Sequence, residues 1–208
     1  MISKASIRGC HLLSLVDADA ERTDSGRIDA AALAQRLLAE IGTRFAHSAS
    51  VASQVGRARR LLDSPWEVAI SEAAWLHDVG YHPAVARTGF HPLDGARWLR
   101  DRGWPDEICR LVAWHTAAFV EAALRGLDHE LLAEFDPPPQ LATDALTWAD
   151  LTSSPSGERW TVARRLADIL ERYPANAVEH RAIADAAPAL RHAAREIQSR
   201  LALEAEVA

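Results

Sequence analysis

Ala74-Trp75-Leu76-His77-Asp78-Val79-Gly80 closes a segment, Trp66 to Val79, in which Glu67, Ser71 and Glu72 are the only polar residues before the His-Asp pair. A helix apolar over most of its circumference belongs inside a bundle. Ser64 reads as its N-cap, Pro65 as its first helical residue and Glu67 as the far side of a capping box. Gly80 stops it. An imidazole and a carboxylate then lie side by side at the end of a buried helix, where leaving both without partners is strongly unfavourable. A metal ion resolves this, because it neutralises the carboxylate and accepts the imidazole lone pair. Each residue alone has a plainer reading. His77 shares the apolar face of Ile70 and Ala73, as a core histidine would, and Asp78 continues the stripe of Glu67 and Ser71 towards solvent.

Around that segment the chain has 208 residues, about half of them hydrophobic and a quarter charged. Such a length buries a full core, and one globular domain is the expectation. A net charge of −6 without a basic run disfavours nucleic acid as a partner. Lys4 is the sole lysine, so any phosphate clamp must be arginine. Cys10 and Cys109 are far apart and form no paired metal motif, which points to free thiols in a reducing compartment. No apolar run is long enough to span a membrane and no leader pattern opens the chain, so a cytoplasmic protein is expected.

Residues 1–27 read as a poorly defined arm, with a short helix or strand at most, and residues 28–208 as one helical domain. From Asp29, Ala34, Leu37, Leu38, Ile41 and Phe45 recur at helical steps. A second helix, Phe45 to Leu62, turns Val51, Val55, Ala58 and Leu61 inward and Gln54, Arg57 and Arg60 outward. Beyond the loop from Tyr81 to Gly89, a helix enters through Pro92, and another runs from Pro105 to His115. Phe119 to Glu134 is one or two short helices broken near Gly126, and Gln140 to Leu151 is a further helix that delivers Asp150. After the serine- and proline-rich turn Thr152 to Gly157, amphipathic helices are expected over Glu158 to Tyr173, Ala177 to Ala186 and Ala189 to Leu203. No strand pattern occurs. The fold class is all-α.

The candidate metal ligands, in order, are His47, His77, Asp78, His91, His115 and Asp150. Arg44-Phe45-Ala46-His47-Ser48, the His77-Asp78 segment and Trp148-Ala149-Asp150-Leu151-Thr152 together resemble the motifs of the HD superfamily of metal-dependent phosphohydrolases. The similarity runs from Arg44 to Gly157, with residues 158–208 as C-terminal helices beyond this motif core. His91-Pro92-Leu93-Asp94-Gly95-Ala96 and Ala113-Trp114-His115-Thr116 resemble the two extra histidines of the family's dinuclear branches. The chain departs from the cyclic-di-GMP branch, lacking a Gly-Tyr-Pro motif and a His-His-Glu after His115. It also lacks the acidic pair of the alarmone hydrolases, with Val79-Gly80-Tyr81-His82 in that place. Tyr81 stands where the phosphodiesterase branch typically has lysine.

The resemblance implies a phosphohydrolase acting on a nucleotide or another small phosphorylated compound. His47, His77, Asp78 and Asp150 would hold one divalent transition ion (manganese, iron, cobalt, nickel or zinc), and Asp78 would bridge to a second held by His91 and His115. Water bound there would ionise at about pH 7 and supply the nucleophile for phosphorus, while Arg44 or Arg57 would stabilise the phosphoryl oxygens. Arg44 could equally pair with a carboxylate of a neighbouring helix. Thr116 and Ser48 read either as substrate contacts or as partners of the ligands. His82 lines the site or faces water, and His11, His129, His180 and His192 read as solvated. Two other functions share the same residues: a di-iron oxygenase, and a non-catalytic, metal-stabilised nucleotide-binding module.

Overall fold

Local sequence accounts for most helix boundaries in the computed structural model, which describes residues 29–207. The arm at residues 1–27, with Cys10 and His11, lies outside the described residues. Helix α1 (Ala30–Leu38) is capped by Asp29, whose carboxylate accepts from the Ala31 amide at 2.9 Å. Then follow α2 (Arg44–Ala58), α3 (Trp66–Leu76), α4 (His91–Arg100), α5 (Asp106–Trp114), α6 (Ala118–Arg125), α7 (Asp128–Glu134) and α8 (Gln140–Leu151). The C-terminal pair is α9 (Val162–Arg172) and α10 (Val178–Val207). Among the described residues there is no strand, only an isolated bridge between Ser153 and Arg159, so the protein is an all-α single domain.

The bundle is built around α3. It packs against α1, α2 and α5, while α2 also lies on α8, and α4 on α5. Ala69, Ile70, Ala73, Ala74 and Leu76 of α3 are buried in the main core with Leu38, Phe90, Leu111 and Trp148. The helix is less enclosed than its sequence implies: Val68 is half exposed. It also differs at both ends. Ser64 makes no cap, and the backbone carbonyls of Asp63 and Pro65 take the Glu67 and Val68 amides instead. At the far end α3 stops at Leu76, and Val79–Tyr81 forms a short 3₁₀ turn, so His77 and Asp78 stand in the break between two helical pieces.

Gly80 is required here by close approach. A Cβ at this position would lie 2.0 Å from the His91 carbonyl oxygen, and at Gly95 one would lie 3.2 Å from the Gly80 nitrogen. Two glycines thus let α4 seat against the turn that carries Asp78. Gly157 does the same on the other side. Its φ is +88°, and a Cβ would approach the Ala46 carbonyl oxygen to 2.9 Å. It brings the turn after α8 onto the start of α2.

Other departures have physical causes. Gln54 is buried rather than outward, on the face of α2 that also carries Val51, Val55 and Ala58. Helix α9 begins at Val162, where Thr161 Oγ1 accepts from the Arg164 amide at 3.2 Å, later than Glu158. The two expected last helices are one, with Pro188 inside it. A proline there removes one hydrogen bond and costs about 3 kcal/mol. The buried stripe Ala182, Ile183, Ala186, Ala187, Leu190, Ala194, Ile197 and Leu201 runs through it unbroken, and packing against α8 and α6 outweighs the loss. His180 is not solvated: its Nδ1 lies 3.0 Å from the carbonyls of both Leu170 and Tyr173, tying α10 to the end of α9. His129 and His192 are exposed, as their contexts indicate. Cys109 is a free, buried cysteine whose thiol is pushed up to about 12 by burial.

Candidate metal centre

Five of the six candidate ligands line one cavity and the sixth, His77, is buried beside it within reach of His47 and Asp78, because each sits at or near a helix end. His77 and Asp78 follow α3, His91 opens α4, His115 follows α5, His47 lies in the first turn of α2, and Asp150 is the penultimate residue of α8. His47, His77 and Asp78 offer ligand atoms within 4.8 Å of one another, and so do Asp78, His91 and His115. Asp78 belongs to both groups. Its Oδ1 is 3.6 Å from the Nε2 of His77 and 3.6 Å from that of His91.

The backbone orients the rings. Nδ1 of His77 lies 2.9 Å from the Ala74 carbonyl, that of His115 is 2.7 Å from the Val112 carbonyl, and that of His47 is 3.1 Å from the Ser154 carbonyl. A carbonyl only accepts, so each Nδ1 donates and each ring turns its Nε2 towards the other candidate ligands. Three consequences follow. His77 Nε2 is buried without a partner. His47 Nε2 faces Asp150 Oδ1 at 3.0 Å, two acceptors that repel unless a proton or a cation lies between them. His115 Nε2 faces His91 Nε2 at 3.1 Å. Inward lone pairs beside carboxylates are a donor set that fits a metal ion, and these buried groups can hold one.

Electrostatics agree. Burial lowers His77 to about 4 and holds His91 well below its ordinary value, His115 adding to the effect, so both rings are neutral near pH 7. Burial would also lower His47, but the Asp150 carboxylate outweighs it and raises this one ring. Burial would raise Asp78 and Asp150. Arg44 and the neighbouring histidines hold Asp78 well below the usual carboxylate range, and His47 with Arg165 does the same for Asp150.

Arg44 donates from Nη1 to Asp78 Oδ2 at 2.7 Å, and its guanidinium lies 3.3 Å over the Tyr81 ring, which stacks on His91 at 3.9 Å. It is therefore a carboxylate partner that also lines the cavity. Thr116 donates to Asp150 Oδ2 at 2.6 Å. Its backbone (φ 30°) and that of Ala117 (φ 61°) are in the left-handed region, a strained turn that lets the chain leave α5 while Thr116 keeps hold of Asp150. Arg57 does not line the cavity: it is exposed, 3.4 Å from Gln54 Oε1. Ser48 is buried without a hydrogen-bond partner for its hydroxyl. His82 accepts from the Ala84 amide at 3.1 Å and caps a turn beside the site. Asp94 holds the approach to His91, accepting from the amides of Arg87, Thr88 and Gly89 at 2.8, 2.9 and 3.2 Å.

The cavity wall also contains residues that the motifs do not mark. Arg165, Ile169, Arg172 and Tyr173 come from one face of α9 and its end, with Glu179 and Ile183 from α10. Arg165 is buried, its Nε has no partner, and its Nη2 is 3.8 Å from Asp150 Oδ1. The usable signal was the spacing 165, 169, 172 and 173, which places two arginines on the inward face of an otherwise ordinary amphipathic helix. Comparison of the chain with protein-family models, curated proteins and solved structures found no match.

Proposed function

We propose that the chain is an HD-type metal-dependent phosphohydrolase that cleaves a nucleotide or another small phosphate ester or anhydride. The observation that carries this reading is the shared carboxylate: Asp78 completes two ligand groups, in which backbone carbonyls orient His47, His77 and His115 and the Tyr81 ring stacks on His91. A bound divalent transition ion (manganese, iron, cobalt, nickel or zinc), or a pair of them, supplies Lewis acidity and a water that ionises near pH 7. His47, His77 and Asp78, with Asp150 beside His47, would hold one ion, and Asp78, His91 and His115 a second. Arg44 fixes the free oxygen of Asp78 and stands beside the entering phosphoryl group, while Thr116 fixes Asp150. Arg165 and Arg172 give the opposite wall positive charge. The cavity, about 90 Å³, suits a phosphoryl group, so the rest of a nucleotide would rest on the mouth near Tyr173.

The test is a turnover screen of the remetallated protein against nucleotides, dinucleoside polyphosphates and simple phosphate esters, with oxygen uptake followed in the iron form. Metal-dependent phosphate release is expected. Full turnover in excess chelator after dialysis would overturn the mechanism. Iron-dependent oxygen uptake without phosphate release would make the same ligand set a di-iron oxygenase, and tight nucleotide binding without turnover would make it a binding module.

A further inference from the structure

At the start of α9, a groove of about 640 Å³ runs between residues 159–163 and α10. We propose that it binds a small phosphate-bearing polyanion through Arg159, Arg191 and Arg195. Thr152 and Ala194 are buried at its base and Trp160 is part-buried in its wall, while the three arginines stand exposed around it.

Arg97, Arg100, Arg125, Arg165 and Arg172 all pair with carboxylates, whereas Arg159, Arg191 and Arg195 have none within 4 Å among the described residues. Other arginines also lack a carboxylate partner there, Arg181 and Arg200 among them, but these three are gathered around one concavity. Arg191 and Arg195 are also one turn apart on α10, where like charges repel. Gln198 continues the same face into the groove. The adjacent face of α10, carrying His192, Glu196 and Arg200, is the one turned towards Asp144 of α8. The helix thus has a mixed-charge face turned towards Asp144 and a cationic one beside the groove. Three uncompensated guanidiniums around a concavity are matched by an anion with several charged oxygens, and guanidinium forks suit phosphate geometry. The groove's size suits one small molecule. Its walls are the end of α8, two residues beyond Asp150, and the first turn of α9, which also carries Arg165. It is nevertheless a separate cavity, and the proposal does not depend on the chemistry of the metal centre.

The experiment is calorimetric titration of the full chain with tripolyphosphate in the presence of chelator, which keeps ions out of the metal centre. Saturable binding is expected, and Arg159→Gln with Arg195→Gln should weaken it at least ~10-fold, as the loss of charge-assisted contacts does. A charge-matched control, Arg181→Gln with Arg200→Gln, should keep wild-type affinity. Unchanged melting temperatures confirm that both variants fold. The proposal is overturned by no binding at ~5 mM probe, several times the concentration that half-saturates a millimolar site. Equal weakening in the control, or a groove variant that binds like wild type, would overturn it too. Tighter retention of a single-stranded oligonucleotide than of tripolyphosphate by the same arginines would replace the small ligand with nucleic acid.

Discussion

Residues 44–157 and the two helices after them meet at the same cavity but approach it differently. In the first region, His77 and His115 are each oriented by a carbonyl three residues back, and α4 is seated by glycine-to-backbone contact. In the second, α9 and α10 reach in with long side chains held by ion pairs: Arg165 with Asp168 at 3.1 Å, Arg172 with Asp168, and Glu179 with Arg125 at 2.7 Å. Backbone-held groups have little freedom, whereas long charged side chains can re-pair when a ligand arrives. The comparison separates a rigid ligand set from an adjustable wall, and that separation can be broken experimentally.

The largest effect is expected at Asp78. Asp78→Ala should abolish binding of both ions and all turnover, because it alone belongs to both groups; His91→Ala with His115→Ala should remove one. Metal analysis of saturated, dialysed protein checks this, and a single ion in wild type with no change in the double variant would return the site to one metal. Next comes Gly80→Ala. The new Cβ cannot coexist with the His91 carbonyl, so α4 must move, at a cost on the order of 3 kcal/mol. Denaturant unfolding should show that cost together with weakened metal binding.

A third variant tests the other region. Leu166→Ala empties a buried position in the small cluster that joins α8, α9 and α10, and should lower stability by about 2–5 kcal/mol. Metal stoichiometry should stay at the wild-type value; loss of ions would show that the wall also builds the centre. The smallest effect lies far from the cavity. Glu134 pairs with Arg97 and Arg100, which lower its pKa from 4.5. Its contribution is therefore present above the ordinary carboxylate range and lost as pH falls through the lowered value. The carboxylate is part-exposed, so Glu134→Gln should cost ~1 kcal/mol or less at pH 7 and nothing measurable near pH 2, as urea midpoints at the two values would show.

Much of this was open to reading in the chain. Apolar spacing located nearly every helix, and the resemblance of their sequence contexts to HD-family motifs grouped His47, His77, Asp78, His91, His115 and Asp150 as candidate ligands. The partners of those residues were not readable. Nothing in sequence says that Ser154 offers its carbonyl to His47, since a backbone group carries no residue-specific signal and the two positions are remote. Arg44 and Arg57 look alike as helix arginines, yet one is bonded to Asp78 and the other is exposed over α2. Pro188 looks like a boundary because local propensity is legible and the packing that overrides it is not.

The sequence by itself determined an all-α chain with histidines and aspartates at helix ends, because periodicity and side-chain chemistry are written residue by residue. Only the tertiary structure decided which nitrogen of each ring faces inward and that α9 closes the cavity with Arg165. Those facts depend on distances between remote segments, and distances arise when packing fixes one helix against another.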